Sequence, residues 1–331
     1  CSLYGGIDSS TIVGLLATQE NKSIKTYSLG FEEEGKDLDE RPLAKMVSER
    51  WNTEHHEIIL KPDQLLDELD KMVWHLDEPY AGGLPSWYIF KAIGKDVKVA
   101  LTGTGGDELF GNYGKWKVYE NIINAFRSRG SLYHGYFSDT YKREKLFSPS
   151  VLNGCCDTAE LIENLWHQSG TKDPRNAVPY IDFKMQLPEE FLQMTDRFSM
   201  AHSVEARVPL LDHTLVETIM HIPSKIRTKT GDLKYLLIRS VKDLLPLKLI
   251  SAPKKGFILP IAKWLRGPLR PQVEHFLGKD YLKRQGLFQE NLYDKVVKPH
   301  IESKKNHDWQ IWTVFMFQKW YEQFVLRGSA S

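Results

Sequence analysis

Two short glycine-bearing segments, each following an apolar run and each carrying an acidic residue, constrain this chain more than any other feature. The first, Leu3-Tyr4-Gly5-Gly6-Ile7-Asp8-Ser9-Ser10, opens the sequence. The second, Leu101-Thr102-Gly103-Thr104-Gly105-Gly106-Asp107-Glu108-Leu109-Phe110-Gly111, comes about a hundred residues later. The apolar runs read as buried strands, and the stretch after each glycine cluster can be helical. In an open parallel sheet such strand-to-helix turns line up at the carboxyl edge, where ligands bind. Glycines let main-chain N–H groups approach phosphates closely, and a helix amino terminus adds a favourable dipole for an anion. Asp8 and Asp107 would then hold Mg²⁺ against the same phosphates, since that ion takes one or two carboxylates beside phosphate oxygens and water. The pattern is that of an ATP site.

Alternating periodicities supply the surrounding fold. Ser9 or Ser10 can cap a helix whose apolar positions include Ile12, Val13, Leu16 and Ala17. A strand is predicted near Ile24–Leu29, a charged loop at Glu32–Asp39, a helix from about Glu40 to Trp51 and a strand at Glu57–Leu60. Pro62 stands where a first-turn proline is tolerated, ahead of a helix bearing Leu65, Leu66, Leu69 and Met72. Ser86–Ile93 reads as helix and Val97–Leu101 as a short strand. Strand alternating with helix argues for an α/β fold built on a doubly wound parallel sheet. Beyond about residue 115 strand signals vanish and helical patterns dominate. The expected division is therefore an α/β nucleotide-binding core over residues 1–115 and a mainly helical region over 116–331. Near the end, Trp309, Trp312, Phe315, Phe317, Trp320 and Tyr321 have the spacing of a buried helix face.

Composition excludes several classes of function. The 331 residues can bury a large core, and Lys plus Arg (44) nearly balances Asp plus Glu (43). That balance gives no electrostatic case for nucleic acid or an anionic membrane. No apolar run approaches the roughly 20 residues needed to span a bilayer, and no signal peptide opens the sequence. Three cysteines, two of them adjacent at Cys155-Cys156, make no disulfide framework, so a cytoplasmic setting is expected.

The first glycine segment is not a Walker P-loop, which needs Lys-Ser or Lys-Thr where this chain has Ile-Asp-Ser-Ser. It resembles instead the PP-loop of the ATP pyrophosphatase superfamily, Ser-Gly-Gly-x-Asp-Ser, whose members cleave ATP between the α and β phosphates. Further phrases narrow the resemblance to the synthetase domain of the asparagine synthase family. They are Tyr27-Ser28-Leu29-Gly30-Phe31, His55-His56-Glu57, Asp77-Glu78-Pro79, Thr195 to Ala201, and Ser203 to Asp212. Lys234 to Arg239 and Pro253-Lys254-Lys255-Gly256-Phe257, followed by Pro260 and Trp264, complete a colinear match over roughly residues 1–270.

The resemblance implies amide synthesis by way of an acyl adenylate. Gly5, Gly6, Ser9 and Ser10 would contact phosphates, Asp8 and Asp107 would hold Mg²⁺, and Lys254, with Lys255 as the fallback, would neutralise departing pyrophosphate. Leu3, Leu29, Gly30, Thr102 and Gly103 would line the base and ribose pocket, largely through main chain. Glu205 and Arg207, on a helix-to-loop passage, would bind the acceptor's charged groups or pair with each other and with Asp196 or Asp212. Asp77-Glu78 lies near the acceptor in the family fold or simply ends a helix ahead of Pro79. The implied partners are a small-molecule carboxylate, ammonia or an amine, and a glutaminase domain that is separate or missing, with a homodimer as one expected assembly. A tRNA-modifying PP-loop enzyme is disfavoured, because basic stripes and a zinc-type cysteine pattern are both absent.

Two departures from the family pattern bear on activity. Tyr4 stands where the superfamily has Ser, so its ring either crowds ATP or points away and leaves the main-chain amides to bind phosphate. Thr104 stands where asparagine-forming members carry an acidic residue. It can be neither a general base near neutral pH nor an attractant for ammonium, yet it remains the residue placed to meet the nucleophile. A β-lactam, a peptide macrocycle or a sugar acid is therefore an alternative product or acceptor, and a nucleotide-binding remnant serving a partner is a third reading. Full-length family members open with a glutaminase domain whose terminal Cys is the nucleophile. Cys1 lies three residues from the PP-loop, which leaves that domain no room, so Cys1 is read as part of the first strand.

Overall fold

A computed structural model describes residues 1–20, 23–32, 39–117, 143–153, 155, 158–229, 232–252 and 259–326. Most of the predicted charged loop, residues 33–38, lies outside this set, as do Cys156 and the segment 253–258 that contains Lys254 and Lys255. The structure is mixed α/β with small parallel sheets and a predominance of helix.

Strand β1 (Lys25–Phe31) is buried along all but its first residue. Continuous burial marks a parallel strand covered on both faces. β1 pairs in parallel with β2 (Glu54–Leu60), in register from Lys25 opposite Glu54 to Phe31 opposite Leu60. A second parallel pair joins β3 (Val99–Leu101) to β4 (Glu205–Arg207), with Ala100 opposite Ala206. The first three residues run between these pairs. Leu3 N–H donates to Tyr27 O (2.8 Å), Tyr27 N–H to Cys1 O (3.0 Å) and Ser2 N–H to Leu101 O (3.1 Å).

The helices follow their apolar periodicity. α1 (Ile7–Gln19) buries Ile12 and Val13, while α2 (Arg41–Arg50) buries Ala44 and Val47. Of these, Val13, Ala44 and Val47 meet Leu3, Leu237, Val241, Leu245 and Leu249 in one core cluster. α4 (Leu84–Ile93) packs against the helix Gln193–Ala201, where Trp87 meets Phe198 edge-on at 5.4 Å.

Three expectations need correction. α1 begins at Ile7, ahead of Ser9 and Ser10, because the helix is entered directly from Gly6, which makes no side-chain cap bond. The single helix expected after Pro62 is two pieces, a 3-10 turn (Pro62–Leu66) and α3 (Leu69–Leu76). Glu68 leaves helical geometry between them (φ −114°, ψ 16°), and Leu65 and Leu69 are both buried. Strand structure also does not stop near residue 115. β4 is a strand, and Glu205 and Arg207 lie on it rather than on a helix-to-loop passage. Three residues with charged ends carry no periodic signal, and pairing with β3 defines the strand.

Internal contacts divide the described residues into two units. The first comprises 1–62, 83–117 and 164–252, the second 63–82, 143–163 and 259–326. These units interleave along the sequence, so the single division after residue 115 does not coincide with them. In the second unit the helix Asp308–Tyr321 buries Ile311, Trp312 and Phe315 completely or nearly so. Trp312 Nε1–H donates to Ala81 O (2.8 Å), and Lys319 Nζ pairs with Asp70 (2.6 Å). Trp309, by contrast, is exposed, so the aromatic run is core packing along only part of its length. Among the described residues no helix is long and apolar enough to cross a membrane.

Candidate active site

The two glycine turns touch. α1 starts at Ile7, just past the Gly5-Gly6 pair, and Gly5 has a φ of +76° that a side-chain-bearing residue rarely adopts. The five-residue helix α5 (Gly106–Phe110) starts directly after the Thr102-Gly103-Thr104-Gly105 stretch. A Cβ on Gly103 would lie 2.6 Å from Ser9 N and 2.8 Å from the Asp8 carbonyl carbon, so only glycine lets the turns approach this closely. Ser9 Oγ links the first turn internally, accepting from Tyr4 N–H (3.4 Å) and donating to Gly6 O (3.3 Å).

The approach brings two carboxylates onto one cation. Asp8 sits in the first turn of α1 and Asp107 in the first turn of α5, where negative charge complements the helix dipole. Lys234 Nζ donates to Asp8 Oδ2 and lies 3.0 Å from Asp107 Oδ1. Burial alone would pull this ammonium down, but the Asp8 and Asp107 charges outweigh it and hold it above the ordinary lysine range. Lys234 is itself in the left-handed region (φ 58°) at the start of the helix Tyr235–Val241, and its N–H donates to Phe110 O (3.2 Å). Beside this cluster Glu108 is buried, and that burial pushes its carboxyl up to about 7.

A cavity of about 500 Å³ opens over the cluster. That lies within the roughly 300–1,000 Å³ of small-molecule sites. Of the residues singled out from sequence, Gly5, Gly6, Asp8, Ser9, Thr102, Gly103, Thr104 and Asp107 line it. Tyr4 lines it too, with its side chain hydrogen-bonded to Ser86 of α4. The Thr102 hydroxyl bonds that of Thr104 (3.0 Å). Nothing lies within 4 Å of where a Cβ on Gly6 would stand, so that stretch of main chain faces open space.

Other candidates lie elsewhere. The Leu3 side chain belongs to the core cluster. Ser10 is buried, and its hydroxyl has no partner among the described residues. Leu29 and Gly30 are on β1 outside the lining, with Arg41 Cδ only 2.7 Å from a Cβ position on Gly30. Glu205 pairs with Arg207 (2.8 Å) on exposed β4 and does not line the cavity. Asp77 is the left-handed cap of α3 (φ 56°).

Sequence reasoning passed over Lys234 as a site residue. The available signal was a lysine directly ahead of the apolar stretch Tyr235-Leu236-Leu237-Ile238. A cation is disfavoured at that end of a helix, and such a local conflict often marks a functional position.

Comparison with known proteins agrees with the sequence resemblance. The family model described as asparagine synthase matches residues 1–322. The chain is similar to a glutamine-hydrolyzing asparagine synthetase 1 of Bacillus subtilis, with 29% identity covering 96% of this chain and 55% of the relative. It is also similar to the same organism's glutamine-hydrolyzing asparagine synthetase 3, with 27% identity over 77% of this chain and 44% of the relative. The chain thus spans about half the length of the curated relatives it matches.

Proposed function

This chain belongs to the asparagine synthase family, and from that premise we propose that it is an ATP-dependent, AMP-forming amide synthetase. A carboxylate oxygen attacks the α-phosphorus of ATP, the bond to the β-phosphate oxygen breaks and pyrophosphate leaves. Ammonia or an amine then attacks the acyl carbon, AMP departs and the nitrogen loses a proton. Of the protein this asks alignment and neutralisation of charge on the leaving groups rather than covalent catalysis.

What carries the reading is the meeting of Asp8 and Asp107 on the Lys234 ammonium beside Gly5-Gly6. The donor set also fits Mg²⁺, because two carboxylates already converge on one cationic centre next to open main chain, as that ion requires alongside phosphate. When bound there, Mg²⁺ supplies neutralisation of the triphosphate oxygens. Lys234, freed from one or both carboxylates, would turn to the pyrophosphate, and Lys254 remains our candidate for the same task from the segment outside the described residues. The PP-loop amides of Gly5 and Gly6 and the Ser9 hydroxyl would orient the phosphates. Thr104 would border the reacting carboxylate, and Glu205 we assign to its ion pair with Arg207 instead of the chemistry.

The hydrogen bonds of residues 1–3 support a doubly wound reading of the sheet, in the order β2, β1, residues 1–3, β3, β4. Both glycine turns then leave neighbouring strands at the point where strand order reverses, which is where open α/β sheets bind ligands. We infer a cytoplasmic enzyme that takes its nitrogen from ammonia or an amine. The test is exchange of labelled pyrophosphate into ATP that depends on an added carboxylic acid. Absence of exchange with every acid of a broad panel refutes the proposal.

A further inference from the structure

The cavity has two chemically different sides. Among the described residues its charged lining side chains are Asp8, Glu40, Asp107 and Lys234, and three of these four form the ion-pair cluster. The side built by Tyr4, α4 and the helix Gln193–Ala201 presents uncharged described residues: Tyr4, Ser86, Phe90, Met194 and Thr195. These residues form one structural wall. Tyr4 and Ser86 hydrogen-bond through their side chains, and Met194 fills the space beside Gly83, its Cγ 2.8 Å from where a Cβ would stand. Phe90 and Met194 are buried, whereas Tyr4 and Ser86 are half-buried and face the cavity. The Tyr4 phenol is neutral at neutral pH, since burial pushes it up to about 12 while the Ser86 hydrogen bond acts in the opposite sense.

A free amino diacid such as aspartate brings an ammonium and a second carboxylate into the site beside the carboxylate to be activated. Each must be met by an opposite charge or several hydrogen bonds, because an unpaired buried charge is strongly disfavoured. The wall offers a phenol ring, a phenyl ring, a thioether and two hydroxyls, and Thr104 adds another neutral hydroxyl. It is suited to a planar or aliphatic body with one or two hydrogen-bonding groups. It also begins where the reaction must occur. Tyr4 directly precedes the Gly5-Gly6 pair, so an acid whose carboxylate reaches the phosphates there extends its body along this surface.

We propose that the wall of Tyr4, Ser86, Phe90, Met194 and Thr195 receives the body of the carboxylate substrate, which is an acid with an uncharged aromatic or aliphatic body rather than free aspartate. Tyr4, the residue that departs from the superfamily pattern, is then the specificity-determining residue. The inference rests on the adenylating reading above.

The experiment is acid-dependent pyrophosphate–ATP exchange with aspartate, 3-phenylpropanoic acid, octanoic acid and N-acetylphenylalanine as probes. At least one uncharged-body acid should half-saturate at a concentration about ten-fold or more below that of aspartate. Tyr4→Ala should raise that acid's half-saturating concentration about ten-fold while leaving that of ATP unchanged. Tyr4→Phe, which keeps the ring, should retain most of the preference and guards against a folding defect in the alanine variant. Exchange with aspartate at equal or lower concentration overturns this inference and leaves the adenylating reading standing. A Tyr4→Ala effect on ATP alone, with acid preference unmoved, assigns the wall to the nucleotide base and also overturns it. No exchange with any acid, in protein that binds ATP, removes the adenylating reading and this inference with it.

Discussion

Lys234→Met tests the centre of the site most directly. In the native protein one ammonium is shared by the Asp8 and Asp107 carboxylates. Without it, two like charges face each other in a site where their side chains are only 14% and 16% exposed. At roughly 5 Å and an effective dielectric near 20, two such charges repel by about 3 kcal/mol. Removing one partner from a buried ion cluster commonly costs about 3–5 kcal/mol in total. With a urea m-value of roughly 3 kcal/mol/M, a loss of about 4 kcal/mol lowers the unfolding midpoint by more than about 1 M. Asp107→Asn in the same background should recover a large part of the loss, giving a coupling energy of about 1 kcal/mol or more. Millimolar Mg²⁺ should stabilise the variant more than the wild type, because the carboxylates no longer have a cation of their own. An unmoved midpoint, strict additivity of the two substitutions or indifference to Mg²⁺ would refute the shared-cation reasoning.

Other outcomes follow from the same geometry. Burial raises the Glu108 carboxyl from its ordinary 4.5 to about 7. The folded state therefore holds a proton that the unfolded chain has lost, and stability falls as pH rises from 4.5 to about 7 and stays low above it. The loss amounts to about 3 kcal/mol at roughly 1.36 kcal/mol per pH unit, and the stability–pH profile of Glu108→Gln, read by urea midpoints, should lack that slope. Gly103→Ala drives a methyl group into Ser9 N and Asp8, so it should separate the turns, cost about 1–3 kcal/mol and lower the exchange rate far more than it lowers the unfolding midpoint. Glu205→Gln removes only an exposed ion pair and should leave acid-dependent exchange close to wild type; a loss of several orders of magnitude would return Glu205 to the reaction.

Legibility in the sequence tracked how local each signal was. The glycine turns, β1, α2 and α4 announce themselves within a dozen residues, through backbone demands or apolar period, and they stand close to where those signals point. The approach of Asp8 to Asp107 was legible because both are the acidic residues of phosphate-loop phrases. Lys234 was not, because nothing near it in sequence says that its ammonium belongs between those two carboxylates. β4 was hidden for a similar reason: Glu205-Ala206-Arg207 is a strand only through β3, about a hundred residues away. Leu29 and Gly30 are a different case: the Leu29 side chain is in the core and Arg41 stands beside Gly30, whereas the contact expected of both runs through main chain.

Residues 1–3 are held by partners at Tyr27 and Leu101, and β3 in turn by Arg207, so the strands under the site are joined by two chain closures of about a hundred residues each. Closing one such loop costs about 4 kcal/mol of chain entropy beyond a constant, and local helix formation does nothing to reduce it. Neither closure gains the pairing that the other provides, so a partly collapsed chain has helices but no place to grip a nucleotide. On the nucleotide-binding reading proposed above, a triphosphate therefore finds its site only once both closures are made, and a chain that has not yet delivered Lys234 holds two mutually repelling acids in its place.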